Sequence, residues 1–137
     1  MFLTVEKVLI LKTVGIFSDI PEADLVNVAT VLEEVEFGPE TDIFRKGDIG
    51  RSLYIVVDGR VRVYDGDRVL AILGEGEVFG EMAALDPEPR MASVTSVEST
   101  RLLRMDNEAL NELIAERGEV ALGIIRLLCR RLRKQGA

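Results

Sequence analysis

Histidine is absent from this 137-residue sequence, and cysteine occurs once, as Cys129. Without histidine, the usual ligand sets for zinc and non-haem iron and His-based acid–base catalysis are disfavoured. A single cysteine excludes an internal disulfide, a Cys₄ iron–sulfur site and a structural zinc knuckle. We therefore expect no catalytic residue, no metal site, no cofactor and no enzymatic activity.

Positive charge and long apolar runs are also scarce. The chain carries 17 Lys and Arg against 24 Asp and Glu, a net charge of −7, whereas nucleic-acid binding needs clustered cations. The apolar N-terminal stretch is interrupted by Glu6, Lys7 and Lys12, and it lacks the features of a signal peptide or a membrane span. These absences predict a cytoplasmic protein without membrane insertion and without direct contact to nucleic acid.

Hydrophobic residues make up 47% of the chain, enough for one compact domain over residues 1–137. Residues 1–32 show helical periodicity, with Leu25, Val28, Ala29 and Leu32 on one stripe. Residues 33–105 consist of short β-rich runs separated by glycine turns, and residues 106–137 are helical again. The pattern predicts a mainly β fold, a roughly eight-stranded antiparallel β-barrel or jelly roll with N-terminal helices and a C-terminal helix pair.

Turn and capping residues add local predictions. Asp58-Gly59 is a strong hairpin signal, because a type I′ turn needs positive φ at both central residues. Asp106 is placed to cap the first C-terminal helix, and Gly118 is placed to end it.

One segment breaks the strand pattern: "FGEMAALDPEPRMASV", residues 79–94, hereafter the cassette. A single helical turn starting at Gly80 would leave backbone N–H groups free for an anion. Nine residues after Glu81 comes Arg90, the only cation between Arg68 and Arg101. Its guanidinium presents a fork of donors that matches two phosphate oxygens.

The acidic residues around the cassette restrict the ligand; they are Glu75, Glu77, Glu81, Asp86 and Glu88. A triphosphate would need several cations or a magnesium ion here, whereas a phosphodiester with one negative charge needs a single arginine. Glu81 could accept a hydrogen bond from a sugar hydroxyl, or it could form a simple salt bridge with Arg90.

The cassette resembles the phosphate-binding cassette of the cyclic nucleotide-binding domain family, and "FRKGDIGRSLYIVVDGRVRVY" and "LGEGEVFGE" resemble the same family's β-barrel. The resemblance implies that Glu81 takes the ribose 2′-hydroxyl and Arg90 the cyclic phosphate. It implies backbone contacts from Gly80, Ala83 and the residues after Arg90. The candidate ligand-binding residues are Gly80, Glu81, Met82, Ala83, Arg90, Met91 and Ala92, with Val63, Ser93 and Leu132 as further candidates.

Two departures from the family pattern concern the base. Members selective for cGMP tend to have a threonine just after the arginine, where this chain has Met91, so we expect cAMP to be preferred. Many members cover the base with a residue from the C-terminal helix, but no aromatic residue follows Phe79. Leu132, Arg130 or Arg133 could serve instead.

The last helix has an apolar face wider than packing against one domain needs. Its apolar residues sweep nearly 200°, opposite Arg126, Arg130, Arg133 and Lys134; they are Val120, Ala121, Ile124, Ile125, Leu127, Leu128, Cys129 and Leu132. The excess width predicts a lid over the ligand, a homodimer contact, or a contact with an adjoining domain.

These observations favour a regulatory module that binds a cyclic nucleotide and relays its occupancy through the C-terminal helix to a partner that the sequence does not name. One alternative is a ligand-free interaction domain of the same fold. Another is the sensory half of a transcription regulator whose DNA-binding part lies elsewhere. A metal-dependent jelly-roll enzyme is disfavoured by the lack of histidine.

Overall fold

The structure is a computed structural model that describes residues 1–136. Two helices, α1 (Thr4–Lys12) and α2 (Glu22–Thr30), flank a 3₁₀ turn at Gly15–Phe17 and precede the first strand. The strands are β1 (Glu33–Phe37), β2 (Asp42–Phe44), β3 (Ser52–Asp58), β4 (Val61–Asp65), β5 (Arg68–Leu73), β6 (Val78–Phe79), β7 (Ser93–Ser96) and β8 (Thr100–Asp106). A short helix α3 (Glu81–Leu85) lies between β6 and β7, and α4 (Asn107–Glu116) and α5 (Gly118–Gly136) follow β8.

The eight strands form two antiparallel four-stranded sheets, in the orders β1-β8-β3-β6 and β2-β7-β4-β5. Apolar side chains from both sheets meet in a shared core, so the sheets face each other. This arrangement confirms the mainly β jelly-roll fold with flanking helices. The two sheets are not closed into a barrel.

Strand β3 is buried on both faces, which explains its unbroken apolar run. Leu53, Ile55 and Val57 pack against the helices, whereas Tyr54 and Val56 point between the sheets. A strand covered on both sides lacks the polar–apolar alternation of a half-exposed strand. The first sheet therefore separates two cores, one under the helices and one between the sheets.

Helix α5 is anchored by its first half. Val120 and Ile124 are fully buried among the helices, and Gly123 lies against the 3₁₀ turn. A Cβ on Gly123 would come within 2.9 Å of the Ile16 Cα. This close approach fixes the position of α5 and directs its second half toward the cassette.

The hairpin predicted at Asp58-Gly59 is wrong in its strand pairing. Gly59 has the expected positive φ, but β3 and β4 lie in different sheets. The chain turns a corner here, and Gly59 packs against the start of β8, where a Cβ would lie 2.4 Å from Thr100 Oγ1. The hairpin joins β4 to β5 through Gly66, which also has positive φ.

Other boundaries differ in detail. Asp106 caps α4 by accepting a hydrogen bond from the Ala109 N–H, as predicted. Gly118 does not end that helix; Arg117 is its C-cap, and Gly118 begins α5. Among residues 1–136, no helix combines the length and apolarity that crossing a bilayer requires.

Candidate functional site

The predicted single helical turn in the cassette is α3, and Gly80 is its N-cap residue. Gly80 has φ of 79°, in the left-handed region that side chains disfavour. A Cβ there would lie 2.9 Å from both Arg90 Nη1 and the Ser52 carbonyl oxygen. Glycine therefore lets the start of α3 approach Arg90, with the Met82 and Ala83 N–H groups in the first turn, where helical partners are lacking.

Arg90 is buried, with 7% of its surface exposed, yet no carboxylate pairs with it among the described residues. Its Nη1 donates to the Gly80 carbonyl at 3.2 Å, and its Nη2 donates to the Ser52 carbonyl at 2.9 Å. The guanidinium carbon lies 4.0 Å from the centre of the Phe44 ring. Burial lowers the pKa of Arg90, because removal from water disfavours its charged form. The cation is thus held in place with its net charge uncompensated.

The backbone of Arg90 is fixed by the loop between β2 and β3. Arg90 N–H donates to the Asp48 carbonyl at 2.7 Å, and Gly47 N–H donates to the Arg90 carbonyl at 2.9 Å. Gly50 N–H donates to the Glu88 carbonyl, and the space of a Gly50 Cβ is filled by the Arg90 side chain, with Nε 2.2 Å away. Because Gly50 has no Cβ, the loop leaves room for the Arg90 side chain.

Glu81 is also buried, with 3% of its surface exposed. Its Oε1 pairs with Arg131 of α5, which also donates to the Val78 carbonyl. Its Oε2 is buried and has no hydrogen-bond partner. No ion pair joins Glu81 to Arg90 in the part of the chain that the structure describes, so the simple salt bridge is not observed. A buried carboxylate oxygen without a donor is unusual and fits an incoming hydroxyl.

The other predicted site residues are divided between the interior and the surface. Ala83 is buried, Met82 is exposed, and Met91 is 71% exposed. Ala92 is half-buried. Ser93 is buried, and its hydroxyl accepts a hydrogen bond from the Lys46 N–H at 2.9 Å.

Val63 and Leu132, the two remaining candidates, differ in their exposure to solvent. Val63 packs at the edge of the core between the sheets. Leu132 is exposed on α5, so in this structure it does not close over the cassette.

Sequence reasoning missed three residues that shape the site: Arg131, Phe44 and Gly50. Arg131 lies in a run of basic residues. The orientation of α5 against the sheet, which local sequence does not show, determines that Arg131 and not Arg130 contacts Glu81. Phe44 on β2 and Gly50 in the loop after β2 are remote from the cassette in sequence, so no local pattern indicates their contact with Arg90.

An aromatic cluster supports the site from the sheet side. The Tyr54 and Phe79 rings stack with centroids 5.1 Å apart, and the Phe44 ring lies 6.1 Å and 6.0 Å from them. Within residues 1–136 no three carboxylate or thiol side chains come together to hold a metal ion. The arrangement can bind an anion at Arg90, a hydroxyl at Glu81 and an apolar group beside the sheets.

Comparisons with known proteins agree on one family. The model for the "Cyclic nucleotide-binding domain" matches residues 34–117. The chain is 35% identical over 130 residues to a CRP-like cAMP-activated global transcriptional regulator of Mycobacterium tuberculosis, covering 91% of this chain and 58% of that protein. It is 44% identical over 97 residues to the cyclic AMP receptor protein of Thermus thermophilus, covering 67% of this chain and 45% of that protein.

A solved structure supports the fold. The crystal structure of the Thermus thermophilus catabolite activator protein superposes with a TM-score of 0.81 at 36% identity, covering 88% of this chain and 59% of that chain. The present chain therefore spans only about half the length of these relatives.

Proposed function

The chain belongs to the cyclic nucleotide-binding domain family, and from this premise we propose that it binds cAMP in preference to cGMP at the cassette. Arg90 holds the cyclic phosphate, and the Oε2 atom of Glu81 accepts a hydrogen bond from the ribose 2′-hydroxyl. Backbone groups of Gly80 to Ala83 and of Met91 and Ala92 complete the contacts. The domain acts as a regulatory module without catalysis.

The observation that carries this proposal is the pair of buried charges that do not neutralise each other. Arg90 donates to carbonyls only, and Glu81 retains one oxygen without a donor. Leaving a buried polar group unsatisfied is costly, so such groups imply a missing partner. A molecule with one anionic phosphate and a nearby hydroxyl satisfies both groups at once.

The preference for cAMP rests on the residue after Arg90. Met91 offers no hydroxyl to the guanine amino group, and its side chain is 71% exposed. A site that offers no hydrogen-bond partner to the guanine amino group gains no affinity from that group and still has to remove its hydration water. The relatives named above are also described as cAMP-activated or cyclic AMP proteins.

We further propose that α5 relays occupancy through Arg131. Arg131 pairs with one oxygen of Glu81, and the proposed ribose contact uses the other. Ligand and helix then stabilise the same carboxylate and do not compete for it. Arg131 holds Glu81 in place for the ribose contact, so by linkage the ligand strengthens the attachment of α5 by the same factor by which α5 strengthens ligand binding.

The exposed apolar stripe on α5 supports a contact beyond the domain. Leu122, Ile125 and Leu132 are exposed, at the three- and seven-residue spacing of a helix seam. We propose that this stripe meets a second copy of the chain or an effector domain. A transcription regulator, as the relatives' names suggest, would carry its DNA-binding part outside these 137 residues.

Calorimetric titration of the full chain with cAMP and cGMP tests the site. We expect Arg90→Ala to weaken cAMP binding by about tenfold or more, because it removes one partner of a shielded charge contact. Arg68→Ala, at an exposed position on β5, is the matched control and should bind as the unmodified chain does. Circular dichroism must first show that both variants are folded.

Unchanged affinity in a folded Arg90→Ala variant would refute the site. Absence of heat with any cyclic nucleotide at high protein concentration would favour the alternative, a ligand-free interaction domain.

A further inference from the structure

The Phe44 ring is the aromatic surface on which the buried Arg90 cation rests. The guanidinium carbon is 4.0 Å from the ring centre, well within the range of a cation–π contact. Such contacts strengthen when the cation is removed from water, as it is here. Phe44 lies on β2, more than forty residues before Arg90, and belongs to no part of the cassette.

Arg90 has carboxylates nearby that could capture it. Glu81 and Asp48 both act on the Arg90 charge at longer range, although neither forms an ion pair with it. An ion pair with either would neutralise the guanidinium and remove it from an incoming phosphate. The aromatic face attracts the cation without occupying its hydrogen-bond donors, and because the ring has no net charge, the positive charge of Arg90 remains available to a phosphate.

We propose that Phe44 is a positioning residue for the anion site: its ring face holds the Arg90 guanidinium aligned toward the phosphate and away from the neighbouring carboxylates. The proposal rests on Arg90 being the phosphate ligand. Two observations support it. The guanidinium contacts the ring face, and the Phe44 ring packs against the rings of Tyr54 and Phe79, with centroid distances of 6.1 Å and 6.0 Å. Phe44 thereby extends the site from the cassette to strand β2.

The decisive experiment measures cAMP affinity by calorimetry in variants of the full chain. Phe44→Leu keeps the apolar bulk and removes the ring face, and we expect about 3- to 30-fold weaker binding. Phe44→Tyr keeps the face and should restore affinity to within about twofold of the unmodified chain.

Replacing Phe44 with phenylalanines that carry one, two and three ring fluorines lowers the negative potential of the face at nearly constant volume. We expect affinity to fall stepwise with each fluorine, a dependence that a purely structural role would not produce.

Phe37→Leu is the matched control, because Phe37 packs at the same core between the sheets and no cation lies over its ring among the described contacts. It should leave cAMP affinity within about twofold. Equal loss in Phe37→Leu and Phe44→Leu, or affinity that is flat across the fluorine series, would overturn the positioning role. If Phe44→Leu binds normally while Arg90→Ala does not, this inference alone is wrong; if Arg90→Ala also binds normally, the proposed function fails with it.

Discussion

Replacing Arg131 with methionine should uncouple α5 from the cassette. The substitution keeps the apolar stem of the side chain and removes the guanidinium that contacts Glu81 Oε1 and the Val78 carbonyl. Glu81 would then be a buried carboxylate with neither oxygen paired. The change therefore leaves the Glu81 charge unpaired in the protein interior and does not alter the cassette backbone.

The expected destabilisation follows from the burial of the two partners. Removing one member of a fully buried ion pair costs about 3–5 kcal/mol. Only 4% of the Glu81 side chain is exposed, but 32% of the Arg131 side chain is, so solvent already screens the pair in part. We therefore expect the free energy of unfolding to fall by about 1–3 kcal/mol. Affinity for cAMP should fall about fivefold, the equivalent of one misplaced hydrogen bond.

Urea unfolding of a double-mutant cycle measures the interaction directly. The cycle compares the unmodified chain, Arg131→Met, Glu81→Gln and the double variant, and we expect a coupling energy of about 1 kcal/mol or more. Lys134→Met is the matched control, since Lys134 is exposed on the same helix. Hydrogen exchange should show that cAMP protects the second half of α5 in the unmodified chain but not in Arg131→Met. Additive single effects, or equal protection in both proteins, would refute the relay.

Two glycine substitutions make further predictions. Gly50→Ala should weaken cAMP binding by about tenfold or more in calorimetry, because its Cβ would take the space of the buried Arg90 side chain and displace the guanidinium; normal binding would show that Arg90 does not need this space. Gly123→Ala should lower the free energy of unfolding by about 1–3 kcal/mol in a urea titration, because its Cβ would press on the Ile16 backbone at 2.9 Å. An unchanged midpoint in that titration would show that α5 is not fixed by this contact.

The general plan of the fold was predictable because its signals are local. The β-rich runs "DIF", residues 42–44, and "RVLAIL", residues 68–73, match β2 and β5 residue for residue, and Asp106 caps α4 as expected. Strand β6 carries no clear local signal, because it has only two residues and pairs with β3 alone. Strand pairing at Gly59 was mispredicted because positive φ specifies a turn but not which strand receives the chain.

The sequence by itself determined most of the elements, the short turn at Gly80 and the presence of one carboxylate and one lone arginine in the cassette. These follow from periodicity, capping and charge, each of which acts within a few residues along the chain.

Only the tertiary structure decided which groups surround those charges. The rotation of α5 brings Arg131 to Glu81, whereas β2 and the loop after it bring Phe44 and Gly50 to Arg90. Such contacts depend on how distant segments pack, and packing is a property of the whole core that no local pattern encodes.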